Sequence, residues 1–322
     1  MLLSAGKYCP TVPTDIKYCI KPSTGNTFTY PINATPNTNY LLSIYNSSNT
    51  NNTYSASANT ICPLNFIVVP GSITYSTNDF CVMKYEAKQV GSTTTPISTA
   101  TGTPWVSINQ TTAIANSPNV SGCTGCHLIT EAEWMTIAQN VLGVASNWDN
   151  GAGTHTVGTG YIYSGHNDNG PASALAAAAD NDPYNGTGQT TPSNQKRTLT
   201  LSNGEVIWDL AGNVWEWTSG QTTGGQPGIT GAGGNWRQWN TISNPGTISP
   251  NPSATATGIT NANNWTSAYG IGQIWSNTEE AGLRGFFRGG KWDDGGYAGV
   301  LALNLYRDPG YTNTSLGFRV SR

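Results

Sequence analysis

The sequence predicts an α+β, loop-rich fold with short sheets and about two helices. Of its 322 residues, 38 are glycine and 18 are proline, so regular elements must be short and bounded by turns. One segment has a helical pattern with both caps, whereas several apolar runs have the length of strands. The core of such a chain depends on bulky side chains, here 11 tryptophans and 15 tyrosines.

Residues 1–60 are predicted to be a small N-terminal β extension with a linker, and residues 61–322 to be the main domain. Short β-branched and aromatic runs at residues 26–31 and 39–45 predict a strand pair. Residues 46–60 are almost entirely Asn, Ser, Thr and Ala, a composition typical of a linker or an extended loop.

The main domain begins with two short apolar runs. Residues 65–69 and 80–86 are both predicted to be strands, because they are β-prone and bounded by turn residues. Further along, residues 199–201 and 206–209 flank the turn sequence Ser-Asn-Gly-Glu, which predicts a β-hairpin.

The clearest helix is predicted from Thr130 to Leu142. Thr130 and Glu133 have the spacing of a capping box, and apolar side chains recur at helical spacing behind them. Gly143 follows where a C-terminal cap glycine belongs. The Ala-rich residues 172–180, which follow a proline, predict a second short helix.

Composition excludes several classes of protein. The chain has 14 basic and 17 acidic residues and a net charge of −3, and the basic residues are dispersed, so no nucleic-acid partner is expected. The longest smooth apolar run, Leu175 to Ala179, is far shorter than the roughly 20 residues of a membrane span. The first seven residues lack the basic and apolar regions of an intact signal peptide. Polar residues that replace charge nevertheless favour an extracellular, cell-surface or virion location.

Six cysteines form an even set, and pairing of sequence neighbours would close three short loops. The sequence does not choose among the 15 possible connectivities, or between disulfides and free thiols. Cys123-Thr-Gly-Cys126-His127 has the spacing of a c-type haem attachment site, but its surroundings are too polar for a haem cage. A zinc site would need a second Cys or His pair, so a local disulfide or two thiols remain the main alternatives.

The segment Asp209–Trp217, here called the Trp-rich turn, is the most distinctive one in the chain. It combines tryptophans with Asp, Asn and Glu around Gly212. Two interpretations are open: a structural turn with its tryptophans in the core, or a site where carbonyl and carboxylate oxygens hold a hard cation.

Five ordered motifs across residues 62–322 resemble the formylglycine-generating enzyme (sulfatase-modifying factor) family. They are Phe80–Glu86, His127–Trp134, Asp209–Trp217, Arg288–Trp292 and Gly317–Arg319. The resemblance implies a C-type-lectin-like fold of the formylglycine-generating-enzyme subtype. It also implies a structural calcium site formed by Asp209, the carbonyls of Gly212 and Val214, and Glu216, with no other cofactor required.

The activity of that family is not expected here. Its chemistry depends on two cysteines shortly after the Arg-Gly-Gly motif, and Asp294 and Gly299 stand at those places. No cysteine follows Cys126, so the chain is predicted not to be an enzyme. A calcium-dependent carbohydrate-binding lectin is a further alternative, but its Glu-Pro-Asn or Gln-Pro-Asp motif is missing.

Residues 288–319 resemble instead the variable region of target proteins made by diversity-generating retroelements. Residues 164–169 and 199–208 are also similar to that group. In such systems adenines of Asn codons are randomised, which yields Asp, Tyr, Gly or Arg but never Trp or Lys. The reachable positions, and therefore the expected ligand-binding residues, are Asp293, Asp294, Tyr297, Tyr306, Arg307, Asp308, Gly310 and Tyr311.

Apolar residues that alternate with these positions are expected to form a buried scaffold, so that the two sets face opposite sides. They are Trp292, Val300, Leu301, Leu303, Leu305, Leu316 and Phe318. The resemblance thus predicts a non-enzymatic ligand-binding protein with a hypervariable C-terminal surface for receptor or host-surface recognition. Its partner is expected to be an unknown macromolecule, a protein or glycan on another cell or host.

Overall fold

The structure is a computed structural model that describes residues 40–45, 51–56, 62–151, 160–179, 195–227, 233–239, 259–260 and 270–322. By backbone contacts the chain divides into two compact units, Met1–Ile61 and Cys62–Arg322. No helix among the described residues is long and apolar enough to cross a membrane.

The first unit contains an antiparallel strand pair. Strand β1 (Tyr40–Tyr45) pairs with β2 (Asn51–Ala56). The predicted strand at 39–45 is therefore present, while its expected partner at 26–31 lies outside the described residues. The prediction of a linker or extended loop was wrong for Asn51–Ala56, because pairing needs only backbone N–H and C=O groups, and Thr53 and Tyr54 favour extended backbone.

In its described residues the second unit combines short strands with two α-helices. The helices are α1 (Gln110–Asn116) and α2 (Glu131–Leu142). The strands are β3 (Phe66–Val69), β4 (Phe80–Met83), β5 (Ala87–Gln89), β6 (Pro96–Ser98), β7 (His127–Leu128), β8 (Thr198–Thr200), β9 (Val206–Trp208), β10 (Trp215–Thr223), β11 (Gly234–Trp239), β12 (Ile259–Thr260), β13 (Ile274–Asn277), β14 (Leu283–Gly289), β15 (Gly299–Asn304), β16 (Leu316–Phe318) and β17 (Val320–Ser321).

A mixed sheet and an antiparallel sheet organise most of these strands. Seven strands follow the order β12-β11-β13-β15-β14-β10-β16, and four follow the order β3-β4-β17-β7. The pairs β5-β6 and β8-β9 are hairpins, and β8-β9 is the one predicted around residues 202–205. The prediction of an α+β, loop-rich fold with short sheets and two helices is confirmed.

Helix α2 has the predicted caps. The Thr130 hydroxyl accepts a hydrogen bond from the Glu133 N–H, while Glu133 accepts one from the Thr130 N–H at 2.8 Å. Helix α1 was not predicted, because the residues from Gln110 to Asn116 include few large apolar side chains. Its one sequence signal is Asn109, whose side chain accepts from the Thr112 N–H at 2.7 Å.

The helix predicted at 172–180 is wrong over its described residues, which form only a short 3₁₀ turn at Ala177–Ala179. Side chains from elsewhere occupy the backbone groups that a helix would use. Asn213 accepts from the Leu175 N–H at 2.8 Å, and Arg197 donates to the carbonyls of Leu175 and Ala176 at 3.2 and 3.1 Å. Ala-rich composition could not reveal these long-range bonds.

The core depends on buried aromatic side chains, as the composition predicted. Trp134 and Trp217 are fully buried, and their indoles donate to the carbonyls of Val300 and Ile108, both at 2.9 Å. Each buried ring therefore keeps its polar atom satisfied, which is the condition for placing tryptophan inside.

Neighbouring cysteines are bridged in the described part of the chain. Disulfides join Cys62 to Cys81 and Cys123 to Cys126, whereas Cys9 and Cys19 lie outside the described residues. The Cys123–Cys126 bond decides among the alternatives for this motif. Its sulfurs bond to each other, so they are not attached to a haem or ligating zinc.

Candidate functional site

The expected variable positions lie in two loops that flank strand β15. Residues 290–298 connect β14 to β15, and residues 305–315 connect β15 to β16. The two sets were predicted to alternate along strands and tight loops; in the structure five of the six residues of β15 are buried, and the expected variable positions lie in the loops on either side. Exposed and buried sets are separated by loops and strand rather than by the two faces of one strand.

Every expected variable position is at least partly exposed. Tyr297 is 41% exposed and Tyr306 is 47% exposed. Arg307 and Tyr311 are partly exposed, and the remaining four positions are exposed or partly exposed. These four are Asp293, Asp294, Asp308 and Gly310.

The expected scaffold is buried except for one residue. The buried members are Val300, Leu301, Leu303, Leu305, Leu316 and Phe318. Trp292 was predicted to belong to the buried set but is partly exposed. Two backbone hydrogen bonds hold Trp292 in place. Its N–H donates to the Asn213 carbonyl at 3.1 Å, and its carbonyl accepts from the Asn169 N–H.

The first flanking loop is held by Lys291. Its ammonium group contacts the carboxylates of Asp293 and, at 3.3 Å, of Asp294. Burial raises the pKa of Asp294, and the charge and hydrogen bonds of Lys291 oppose that rise. Behind this loop the Gly295 N–H donates to the Asn167 carbonyl at 2.8 Å. The polar side chains of this loop are thus largely paired with one another.

The second flanking loop places the guanidinium group of Arg307 against two aromatic rings. The guanidinium carbon of Arg307 lies 4.2 Å from the ring centre of Tyr306 and 4.2 Å from that of Tyr311. The Arg307 carbonyl accepts from the Gly285 N–H at 2.9 Å, which ties the loop to β14. Tyr311 also packs against the core, and its hydroxyl accepts from Asn313 at 2.9 Å. Tyr311 therefore has a structural contact that Tyr306 lacks.

Two tryptophans outside the expected variable region adjoin these loops. Trp236 on β11 stacks on Tyr297 with ring centres 4.7 Å apart, and Trp275 on β13 contacts Tyr306 at 4.5 Å. The sequence analysis predicted neither, because nearly everything after Trp217 is Gly, Asn, Thr, Trp and turn residues, with no periodic helix. The short runs Gly234–Trp239 and Ile274–Asn277 were the only available signal for strands there.

The carboxylates of the Trp-rich turn are buried and paired with arginines. Asp209 accepts from Arg197 at 2.7 and 2.8 Å, and Glu216 accepts from Arg319 at 2.7 and 3.0 Å. Burial raises the pKa of Glu216, while the adjacent Arg319 opposes the rise. Both pairs have two-point geometry, the strongest form of such a contact.

A third buried carboxylate, Glu86, secures the middle of the turn. It accepts hydrogen bonds from the Asn213 side chain at 2.5 Å and the Val214 N–H at 3.2 Å. Burial raises the pKa of Glu86 well above its usual range, and the nearby Asp209 adds to the rise. Gly212 is required here, since a Cβ would lie 2.4 Å from the His166 carbonyl oxygen and its φ is +88°.

This donor set does not fit a calcium ion as it stands. Asp209 and Glu216, the two carboxylates expected to bind calcium beside the carbonyls of Gly212 and Val214, are already matched by guanidinium groups. Across the described ranges no group of three or more His, Cys, Asp or Glu residues could hold a metal ion. The geometry favours the structural interpretation of the Trp-rich turn.

Among known proteins, only solved structures show similarity to this chain. No family model matches the chain, and no curated protein matches it. Among solved structures, the chain is similar to Treponema denticola variable protein 1, at 15% sequence identity and a TM-score of 0.32. The alignment covers 89% of this chain and 92% of that protein.

Proposed function

We propose that this protein is a non-enzymatic ligand-binding protein that displays a variable surface on the loops flanking β15. The observation that carries the proposal is the separation of two sets of residues. All eight expected variable positions have solvent-exposed surface, while six of the seven expected scaffold residues are buried. Exposed positions tolerate substitution at a cost usually within about 0.5 kcal/mol, so such a surface can change without loss of the fold.

The composition of the surface supports binding of a macromolecule. Tyr297, Tyr306 and Arg307 are the residue types that dominate binding energy at protein interfaces and in antibody paratopes. The ligand in this proposal is a protein or glycan on another cell or host. Recognition then takes place at a virion or cell exterior.

Two observations support a function other than oxidation of a substrate cysteine. Asp294 and Gly299 stand at the places of the two catalytic cysteines of the formylglycine-generating enzyme family, which the motifs of this chain resemble. The four cysteines of the second unit are paired in disulfides, which leaves no thiolate in the described residues for copper binding or thiol exchange.

Sequencing the DNA that flanks the gene tests the proposal. We expect a near-copy of the segment encoding residues 288–319 that differs mainly at adenines, beside a reverse-transcriptase gene. Flanking DNA without either feature, together with related genes that do not vary at the eight positions, would contradict a diversified surface.

A further inference from the structure

The strands β11 and β13 place two tryptophans side by side next to the variable loops. Trp236 and Trp275 are direct partners in the antiparallel register of β11 and β13. Directly opposed residues in such a pair project from the same face of the sheet, with Cβ atoms roughly 5 Å apart. The two indoles therefore belong to one surface, and both are partly exposed.

The local sequence makes room for the second indole. A Cβ added at Gly234 would lie 2.6 Å from the Cζ2 atom of Trp275, so the indole lies directly against the backbone of β11. Any larger residue at this position would displace the ring. Gly234 and Trp275 thus form a fitted pair, which fixes the orientation of Trp275 beside the variable loop.

Each of the two tryptophans has a variable tyrosine against it. Tyr297 stacks on Trp236 with an interplanar angle of 25°, and Tyr306 contacts Trp275 at an angle of 53°. Tyr297 and Tyr306 are the large aromatic residues that are exposed in the described part of the chain. Tryptophan is not reachable by adenine randomisation of an Asn codon, so the rings beneath are constant while the rings above can change.

The aromatic surface ends at a cation without an acidic partner. Arg197, Arg284, Arg288 and Arg319 each pair with a carboxylate. Among the described residues no carboxylate pairs with Arg307, whose guanidinium carbon lies 4.2 Å from the ring centres of Tyr306 and Tyr311. A guanidinium packed against aromatic rings still has N–H donors along its edge, and a carboxylate matches these donors best.

We propose that Trp236 and Trp275 are constant ligand-contacting residues, and that the partner is a protein placing an apolar side chain on these rings and a carboxylate on Arg307. This inference rests on the proposed function. A small residue at position 297 exposes the Trp236 indole, and a small residue at position 306 exposes the Trp275 indole. An aromatic ring is therefore available to the ligand whichever residue the variable position carries. Aromatic anchors with charged groups around them are the usual anatomy of a protein interface.

A display experiment with the full chain tests the inference. The seven variable positions other than Arg307 are randomised, and binders are selected against two defined probes. One probe is ovalbumin, an acidic folded protein, and the other is maltoheptaose, a neutral oligosaccharide. Trp236→Leu, Trp275→Leu and Arg307→Lys are then introduced into each selected binder.

Trp208→Leu is the matched control. Trp208 is also a partly exposed tryptophan, but its ring contacts Tyr85 and Arg197 rather than a variable residue. We expect ovalbumin binders to lose at least tenfold in affinity on Trp236→Leu or Trp275→Leu and on Arg307→Lys. The Trp208→Leu control should bind within twofold of its parent.

A second measurement covers variants that fail to fold. In the parent binders, NMR relaxation by a dissolved nitroxide reports access to the indole N–H groups of Trp236 and Trp275. We expect both signals to become protected when ovalbumin binds. In the protein with its original sequence, Tyr297→Ser should raise the access of the Trp236 indole, because Tyr297 stacks on that ring.

The outcomes separate the inference from the proposed function. Ovalbumin binders whose affinity is unchanged by Trp236→Leu and Trp275→Leu, with unprotected indoles, overturn the inference and leave the variable surface intact. If binders are obtained for maltoheptaose alone, the proposal that the partner is a protein is wrong. If the library yields no binder for either probe, the proposed function fails and the inference fails with it.

Discussion

The Trp-rich turn and the two loops flanking β15 use the same kinds of side chain in opposite ways. In the turn, Asp209 and Glu216 are buried and each is matched by an arginine. In the loops, Tyr306 is exposed and Arg307 has no acidic partner among the described residues. Composition alone therefore does not distinguish the buried, paired turn from the exposed loops to which we assign recognition, whereas burial and pairing differ between them.

The largest expected effect comes from breaking a buried pair in the turn. Glu216→Ala leaves the fully buried Arg319 without its carboxylate, which typically costs about 3 to 5 kcal/mol of unfolding free energy. Chemical denaturation of both proteins measures the difference. The matched control is Glu280→Ala, which breaks the partly exposed pair with Arg284 and should cost about 1 kcal/mol or less. Equal losses of unfolding free energy in the two variants would mean that burial does not determine how much an ion pair contributes to stability.

Trp292 lies in the first flanking loop but its N–H bonds to the Asn213 carbonyl of the Trp-rich turn, and its replacement should show an intermediate effect. Full burial of a tryptophan makes its replacement by Ala cost about 3 to 5 kcal/mol, and Trp217 meets that condition. Trp292 is only partly buried. We therefore expect Trp292→Ala to lower the unfolding free energy by about 1 to 3 kcal/mol, less than replacement of a fully buried tryptophan. Denaturant titrations of Trp292→Ala and Trp217→Ala decide this. A loss for Trp292→Ala as large as that for Trp217→Ala would restore Trp292 to the core scaffold.

A smaller effect is expected from pH at the start of α2. The hydrogen bond with Glu133 raises the pKa of His127, whereas burial opposes the rise. Stability from this contact is therefore complete below about pH 6.5 and is lost as pH rises through the pKa of the folded protein. Burial would raise the pKa of Glu133, but its bonds with His127, Thr130 and Ser321 lower it, so Glu133 stays ionised in that range.

Thermal melts of the wild type and His127→Gln at pH 5.5 and 8.5 test this effect. His127 is 42% exposed in its side chain, so the difference should remain below about 1 kcal/mol. We expect His127→Gln to be more destabilised relative to the wild type at pH 5.5 than at pH 8.5. A larger gap at pH 8.5 would mean that neutral His127 makes the stabilising contact.

The smallest expected effect is that of calcium. An ion that binds only the folded state raises stability by mass action, so its removal lowers the melting temperature. Because Asp209 and Glu216 are paired with arginines, we expect the same melting temperature in 1 mM CaCl₂ and in EDTA, to within about 1 °C. A drop of several degrees in EDTA would show that the turn binds calcium despite those pairs.

Local patterns predicted the elements whose stabilising contacts lie close in sequence. The capping box of Thr130 and Glu133 gave helix α2, and the turn at residues 202–205 gave a hairpin. The predictions failed where distant side chains determine the backbone. Arg197 and Asn213 engage the backbone near Leu175 and exclude a helix there, a contact that no local window contains.

The sequence named the expected variable positions but not the two tryptophans that contact them. Resemblance of residues 288–319 located the tyrosines and Arg307. Trp236 and Trp275 remained hidden, because their place beside Tyr297 and Tyr306 depends on the pairing of β11 with β13 and of β13 with β15. Pairing between strands so distant in sequence has no signature in either strand alone.

The central claim is that recognition and stability reside in different residues, and one set of melts tests it most directly. The triple variant Tyr297→Ser, Tyr306→Ser, Arg307→Ser changes two exposed positions and one partly exposed position. At about 0.5 kcal/mol each, it should lose about 1.5 kcal/mol in total. Leu303→Ala changes one fully buried residue and should lose about 2 to 5 kcal/mol. The account predicts that the triple variant melts at a higher temperature than Leu303→Ala. A triple variant that unfolds while Leu303→Ala stays stable would contradict it.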